Sequence, residues 1–112
     1  MTPFGMILRH MINFNLVFQA LADPGRQTMI ERLSRGAATL SELAAPLAMS
    51  LPAVMQHLKM LEAGGLVSSS KSGRVRTCRL NAEVLGAAEQ WLAARRLAWR
   101  GDAETLLASL NP

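Results

Sequence analysis

The stretch from Leu40 to Leu80 leaves this chain the fewest ways to fold. Thr39, with Glu42 three residues on, is a capping-box pattern that opens a short helix from Leu40 to about Leu47. Pro46 closes that helix early. Ala48-Met49 then form a tight turn, and Ser50 caps a second helix. Pro52 falls in the first turn of that helix, where a missing N–H costs little, and Gly64-Gly65 end it. Leu66 to Ser70 and Val75 to Leu80 read as strands joined by a turn at Ser72-Gly73. Two helices joined by so short a turn are a helix-turn-helix, whose second helix fits a DNA major groove. The hairpin behind it makes a winged helix.

Charge is concentrated on the same stretch. Residues 50–80 hold Lys59, Lys71, Arg74, Arg76 and Arg79 against Glu62 alone, which equals the whole chain's net charge of +4. A surface that meets phosphates has this distribution. On the second helix Val54, Leu58 and Leu61 share one side and face a core. The opposite side presents Pro52, Ala53, Met55, Gln56 and Lys59, with Ser50 at the open N-terminus, where free N–H groups suit a phosphate. Gln56 can pair with adenine, Lys59 with guanine or a phosphate, and Met55 can touch a thymine methyl group. His57 lies at the edge between the two sides. A packed, hydrogen-bonded imidazole is its simpler reading and a phosphate contact the other. Lys71, Arg74 and Arg76 sit at or near the hairpin tip, placed to reach DNA beside the second helix.

Before this stretch, Phe4 to Ala22 reads as one helix with more apolar surface than one face needs. Asp23-Pro24 caps the next, which runs to about Arg35 with Met29, Ile30 and Leu33 buried and Arg26, Glu31, Arg32 and Arg35 in water. After the hairpin, Asn81 caps a helix from Ala82 to about Arg100, with a break at Gly101-Asp102 and an apolar face resuming at Leu106. Met11, Phe14 and Phe18 on the first helix, with Trp91, Trp99, Leu106 and Leu110 on the last, exceed what a small core can hide. They are expected to form a homodimer interface, the alternative being packing of the two helices within one chain.

At 112 residues, half of them hydrophobic, the chain is expected to be one domain spanning residues 1–112. It is mainly α with a small β-hairpin: about five helices plus a two-stranded wing. No apolar run reaches the length of a membrane span and no signal peptide is visible, so a cytoplasmic protein is the simplest reading. Cys78, the only cysteine, excludes an internal disulfide and a cysteine-rich metal site. Strand alternation places it with Leu80 on one face, as a half-buried small hydrophobe; a redox-responsive regulator is the alternative. No nucleophile–base constellation points to an enzyme, and no cofactor or metal is expected. A winged-helix interaction module without DNA would not need its charge concentrated on helix and wing.

The run Phe18-Gln19-Ala20-Leu21-Ala22-Asp23-Pro24 followed by Arg26 resembles the opening of the ArsR family of bacterial winged-helix repressors. Leu43-Ala44-Ala45-Pro46, Met49 to Val54, His57-Leu58-Lys59, Leu61-Glu62, Gly65-Leu66-Val67 and Arg76 to Leu80 extend the resemblance over about residues 16–100. It implies a homodimer that binds an imperfect inverted repeat in double-stranded DNA and represses a promoter. The chain departs from the family pattern at Met55, where an inner serine is usual. It also has Glu42-Leu43-Ala44-Ala45 where metal-sensing members carry a cysteine pair, and Ala82 to Arg100 lacks the aspartate and histidine of the family's other metal site. Soft metals need thiolates, so metal sensing is not expected. The motifs identify no effector.

Overall fold

The computed structural model describes residues 11–110. Among these the helices are α1 (Phe14–Leu21), α2 (Pro24–Leu33), α3 (Leu40–Ala44), α4 (Leu51–Ala63) and α5 (Ala82–Leu110). The strands are β1 (Ala38–Thr39), β2 (Val67–Ser72) and β3 (Val75–Leu80), in the antiparallel order β1-β3-β2.

Most helix starts follow directly from local chemistry. The Asn13 side chain accepts from the Leu16 N–H, the Asp23 carboxylate from Arg26, and the Ser50 hydroxyl from Ala53. Thr39 and Glu42 close the full capping box. Each cap satisfies a backbone donor that the first helical turn leaves free. After α3, a 3₁₀ turn at Ala45–Leu47 carries Pro46, and Ala48 takes the left-handed conformation at φ 49° before α4 starts. The two helices thus change direction within a few residues.

The inner faces meet in one core. Val17, Met29, Leu33, Leu43, Val54, Leu58, Leu61, Leu66, Cys78 and Val84 are all buried and contiguous. Val54, Leu58 and Leu61 are inward, as their spacing requires. Gly64 lets α1 approach the end of α4, because a Cβ there would come within 3.1 Å of the Leu16 carbonyl oxygen.

Several sequence expectations change. The first helix is not continuous through Met11–Ala22: Ile12 and Asn13 leave the helix, and Asn13 caps α1 anew. The part of that expectation on residues 4–10 lies outside the described residues. The wing turn is Gly73-Arg74 rather than Ser72-Gly73, since Ser72 pairs with Val75. Gly73 takes φ 61° at the first central position, as a II′ hairpin turn requires. A third strand, β1, pairs Ala38 with Cys78 and Thr39 with Thr77. Finally, α5 runs 29 residues without a break at Gly101-Asp102. An exposed mid-helix glycine costs only about 1 kcal/mol, and the Thr105 hydroxyl bonds back to the Gly101 carbonyl across that turn.

Arg26 is the largest correction. It is not solvated but only 8% exposed. Its Nε donates to the Ala20 carbonyl at 2.7 Å and its Nη2 to the Gln19 carbonyl at 3.2 Å. These oxygens belong to the last turn of α1, where carbonyls have room for further donors; that of Gln19 also accepts from the Ala22 N–H at 3.2 Å. A cation there also matches the negative end of the helix dipole. Gln27 Nε2 satisfies the next carbonyl, that of Leu21, at 2.8 Å.

Candidate nucleic-acid interface

Helix α4 lies across the core with its N-terminus facing out. Leu51, Pro52, Gln56 and Lys59 are exposed, and Ala53 and Met55 are half-buried. Pro52, Gln56 and Lys59 fall at helical spacing on one side, with Ser50 at the open end. The wing rises beside that end. Leu40, Leu51, Pro52 and Met55 form the floor of a groove of about 350 Å³ whose other wall is Lys71, Arg74 and Arg76. The sequence placed the recognition side chains and the wing cations separately; the fold brings Pro52, Met55, Lys71, Arg74 and Arg76 to one groove. Leu40 and Leu51 are lining residues that sequence reasoning missed, although an exposed leucine at the first position of a capped helix is a visible oddity.

The wing cations are not equivalent. Lys71 and Arg74 are exposed, and neither forms an ion pair among the described residues. Arg76, paired across the strands with Lys71, donates to the Ser69 hydroxyl at 3.0 Å, and Ser69 donates to the Glu62 carboxylate at 3.1 Å. This chain ties the wing to the C-terminal part of α4, so Arg76 braces the wing as well as lining the groove. Arg79 is exposed on the opposite face of β3.

His57 does not join this surface. Its side chain is 16% exposed, with Nδ1 3.0 Å from Arg26 Nη1 and 3.8 Å from Asp23 Oδ2. Of its two sequence readings, the packed, hydrogen-bonded one describes what is seen, and a phosphate contact does not.

Cys78 is fully buried in β3. Burial pushes its thiol pKa up, the Glu62 carboxylate adds to that, and Arg76 opposes it. A reactive thiol needs the opposite setting, exposed and electropositive. Among the described residues no group of three or more His, Cys, Asp or Glu side chains is arranged to hold a metal. None of their helices is long and apolar enough to cross a membrane.

The seven candidate interface residues divide. Phe14, Phe18 and Trp91 pack within the chain, with ring centroids 5.4–6.3 Å apart, and Arg95 lies 4.2 Å over the Trp91 ring. Met11, Trp99, Leu106 and Leu110 are exposed, Trp99 to 68%.

A helix-turn-helix domain model matches residues 21–69. The HTH-type transcriptional regulator Rv2034 of Mycobacterium tuberculosis is 43% identical over 70 residues, covering 62% of this chain and 65% of that protein, slightly under two thirds of its length. The transcriptional repressor SdpR of Bacillus subtilis is 30% identical over 78 residues, 70% of this chain and 87% of the repressor. Among solved structures, the crystal structure of an ArsR family transcriptional regulator, RHA00566, superposes with a TM-score of 0.75 at 49% identity, covering 78% of this chain and 90% of that one. The homodimeric winged helix-turn-helix DNA-binding domain of Mb0332 from Mycobacterium bovis matches with a TM-score of 0.59 at 26% identity, over 75% of this chain and 81% of that one. With its capped recognition helix, its basic wing and these relatives, the chain belongs to the ArsR family of winged helix-turn-helix, DNA-binding transcription regulators.

Proposed function

We propose that the protein is a homodimeric repressor that binds an inverted-repeat operator and does not respond to metals. The observation that carries the reading is the shared groove between the N-terminus of α4 and the wing, where Lys71, Arg74 and Arg76 face Pro52 and Met55. A phosphate strand passing along this groove meets wing cations and the positive end of α4, while Gln56 and Lys59 reach base edges in the major groove. Lys71 and Arg74 set register and affinity; Gln56 reads sequence.

The dimer rests on α5. Past Ala88 none of its described residues is buried, yet Leu92, Trp99 and Leu106 recur every seventh residue and Leu110 extends the stripe. That is the spacing of a helix–helix seam. The name of the Mycobacterium bovis relative describes a homodimer, which supports the same arrangement here. Two recognition helices held by a two-fold axis match half-sites about one DNA turn apart. Ala44 and Ala45 stand where thiolates would be needed, so soft metals find no ligands on α3.

Footprinting on the DNA immediately upstream of its own gene tests the reading. A protected inverted repeat is expected, with affinity falling linearly in log–log terms as salt rises. Gln56→Ala should relax sequence choice at a cost of about 1–3 kcal/mol. Zinc, cadmium or arsenite should leave affinity unchanged. Absence of any protected site would refute operator binding, and stoichiometric release by a metal would refute the metal-independent part.

A further inference from the structure

Arg26 and His57 connect the recognition helix to the layer beneath it through a single ring nitrogen. The guanidinium carries only donors. Its Nη1 contact at 3.0 Å therefore requires His57 Nδ1 to be bare, with the ring proton on Nε2. The same guanidinium is held in place by the Gln19 and Ala20 carbonyls of α1. Asp23 Oδ2, which caps α2 through the Arg26 N–H at 3.0 Å, stands 3.8 Å from the same Nδ1. His57 thus has two possible partners of opposite charge on α2, and its protonation state selects between them. The neutral ring accepts from Arg26. The protonated ring has a donor at Nδ1 facing a donor, so it must leave Arg26 and turn to Asp23, the acceptor next to it.

The surroundings keep this choice simple. Among the described residues, Arg26 and Asp23 at the start of α2 are the charged groups in contact with the ring, and across Gly25 the uncharged Met49 shares its space. On its own helix, Lys59 is exposed and Glu62 is bonded to Ser69. A Cβ at Gly25 would lie 3.1 Å from Asp23 Oδ2 and 3.4 Å from both His57 Nε2 and Met49 Cε, so the ring sits in a close-fitting slot. A change of partner in such a slot is passed on to α4, which carries the ring, because close-packed interiors transmit strain.

We infer that His57 is a two-position clasp: neutral, it holds α4 to Arg26; protonated, it turns to Asp23, shifts α4 against α1 and α2, and weakens sequence-specific DNA binding. The DNA consequence rests on the operator-binding reading above; the clasp itself does not. His57 is a positioning residue in this scheme, since it acts through α4 rather than on a base or phosphate. The sign of the pH effect separates the two roles. A DNA-facing histidine gains a cation on acidification and binds more tightly, whereas the clasp releases.

Two measurements on the full chain decide it. In ¹⁵N NMR, His57, assigned by its loss in His57→Gln, should show the Nε2–H tautomer near neutral pH. Its titration should carry the amide shifts of α4 and of Asp23 with it. An Nδ1–H tautomer, or a titration that leaves α4 unmoved, would overturn the clasp whatever the protein does with DNA. Separately, binding to a duplex spanning the DNA upstream of its own gene and to a random-sequence duplex is compared from about pH 7.5 to pH 5.5. The ratio of specific to random affinity should fall on the order of tenfold, the scale of one charged hydrogen bond. In His57→Gln, whose amide oxygen can still accept from Arg26, the ratio should stay flat. A ratio that rises on acidification in the parent only, or is flat in both proteins, would overturn the inference. If neither duplex binds at any pH, the operator reading fails, and the NMR result alone decides the clasp.

Discussion

The region from α3 through the wing and the distal half of α5 both lie at the surface, yet they are finished in different ways. In the first, every large apolar side chain on the inner face of α4 reaches the core, both helix starts are capped, and Glu62, Ser69 and Arg76 tie helix to wing. Apart from Met49 and Val75, what it leaves outside is polar, cationic or part of the groove. The distal half of α5 makes no comparable contacts. It is exposed along about 20 Å of helix, with Leu97, Trp99, Leu106, Leu107 and Leu110 uncovered, Leu110 to 76%. A region complete within one chain presents chemistry to a ligand; one with so much apolar surface left over marks an interaction surface, which is the dimer seam proposed above.

The largest expected effect comes from breaking the second region without touching the first. Replacing Trp99 and Leu106 together by alanine removes four large side chains from a two-fold interface. Each is worth about 1.5–3 kcal/mol when buried, so the dimer should weaken by roughly a thousandfold or more. Sedimentation equilibrium should show a monomer at micromolar concentration with unchanged helicity, and operator binding should fall with it. A double variant that dimerises like the parent would mean that the exposed stripe is not the seam.

A smaller effect sharpens the contrast from the other side. Leu58 of α4 is fully buried, and Leu58→Ala should cost the fold about 2–5 kcal/mol. Leu107→Ala, an equally large truncation at an exposed site, should stay within about 0.5 kcal/mol in the monomeric background of the double variant. Urea denaturation of the three proteins compares them directly. Similar losses at both sites would show that the distal helix is packed within one chain after all.

The same difference explains how much of the molecule was legible in its sequence. Caps, breakers and helical spacing are local, so Thr39–Glu42, Ser50-Pro52 and the Val54-Leu58-Leu61 side could be read directly, as could the winged helix-turn-helix. Contacts between distant segments leave no such mark. Arg26 beside an N-cap looks solvated until the carbonyls exposed at the end of α1 are counted. The strand β1 has two residues, too few to show a period. The Arg76–Ser69–Glu62 chain depends on the strand register, and a turn at Gly73-Arg74, one residue on from the expected place, moves each cross-strand partner by two residues. Gly101 looked like a break because helix propensity was weighed without the length of helix around it. On the surface proposed to face DNA, spacing along α4 put Pro52, Gln56 and Lys59 on one side, and all three are exposed. Only the fold showed that the wing shares a groove with Leu40 and Leu51, and which charged partners hold the packed His57.

The smallest effect tests whether the first region's completeness includes its charges. Glu42 accepts from the Thr39 N–H at 3.1 Å and pairs with Arg32 at 3.5 Å. The Thr39 backbone and hydroxyl, and then Arg32, hold its carboxyl below the usual 4.5. A carboxylate whose pKa is depressed on folding stabilises the fold while both states are ionised, above the unfolded value. That contribution is lost as pH falls through the folded value. Glu42→Gln should therefore be slightly less stable than the parent at pH 7, and the gap should close below about pH 4.5 as the parent's own carboxyl protonates. Because Glu42 is exposed, solvent screens the interaction and the difference is small. Parallel urea titrations at the two pH values measure it. A gap that persists in acid would assign the loss to the shape of the capping box rather than to its charge.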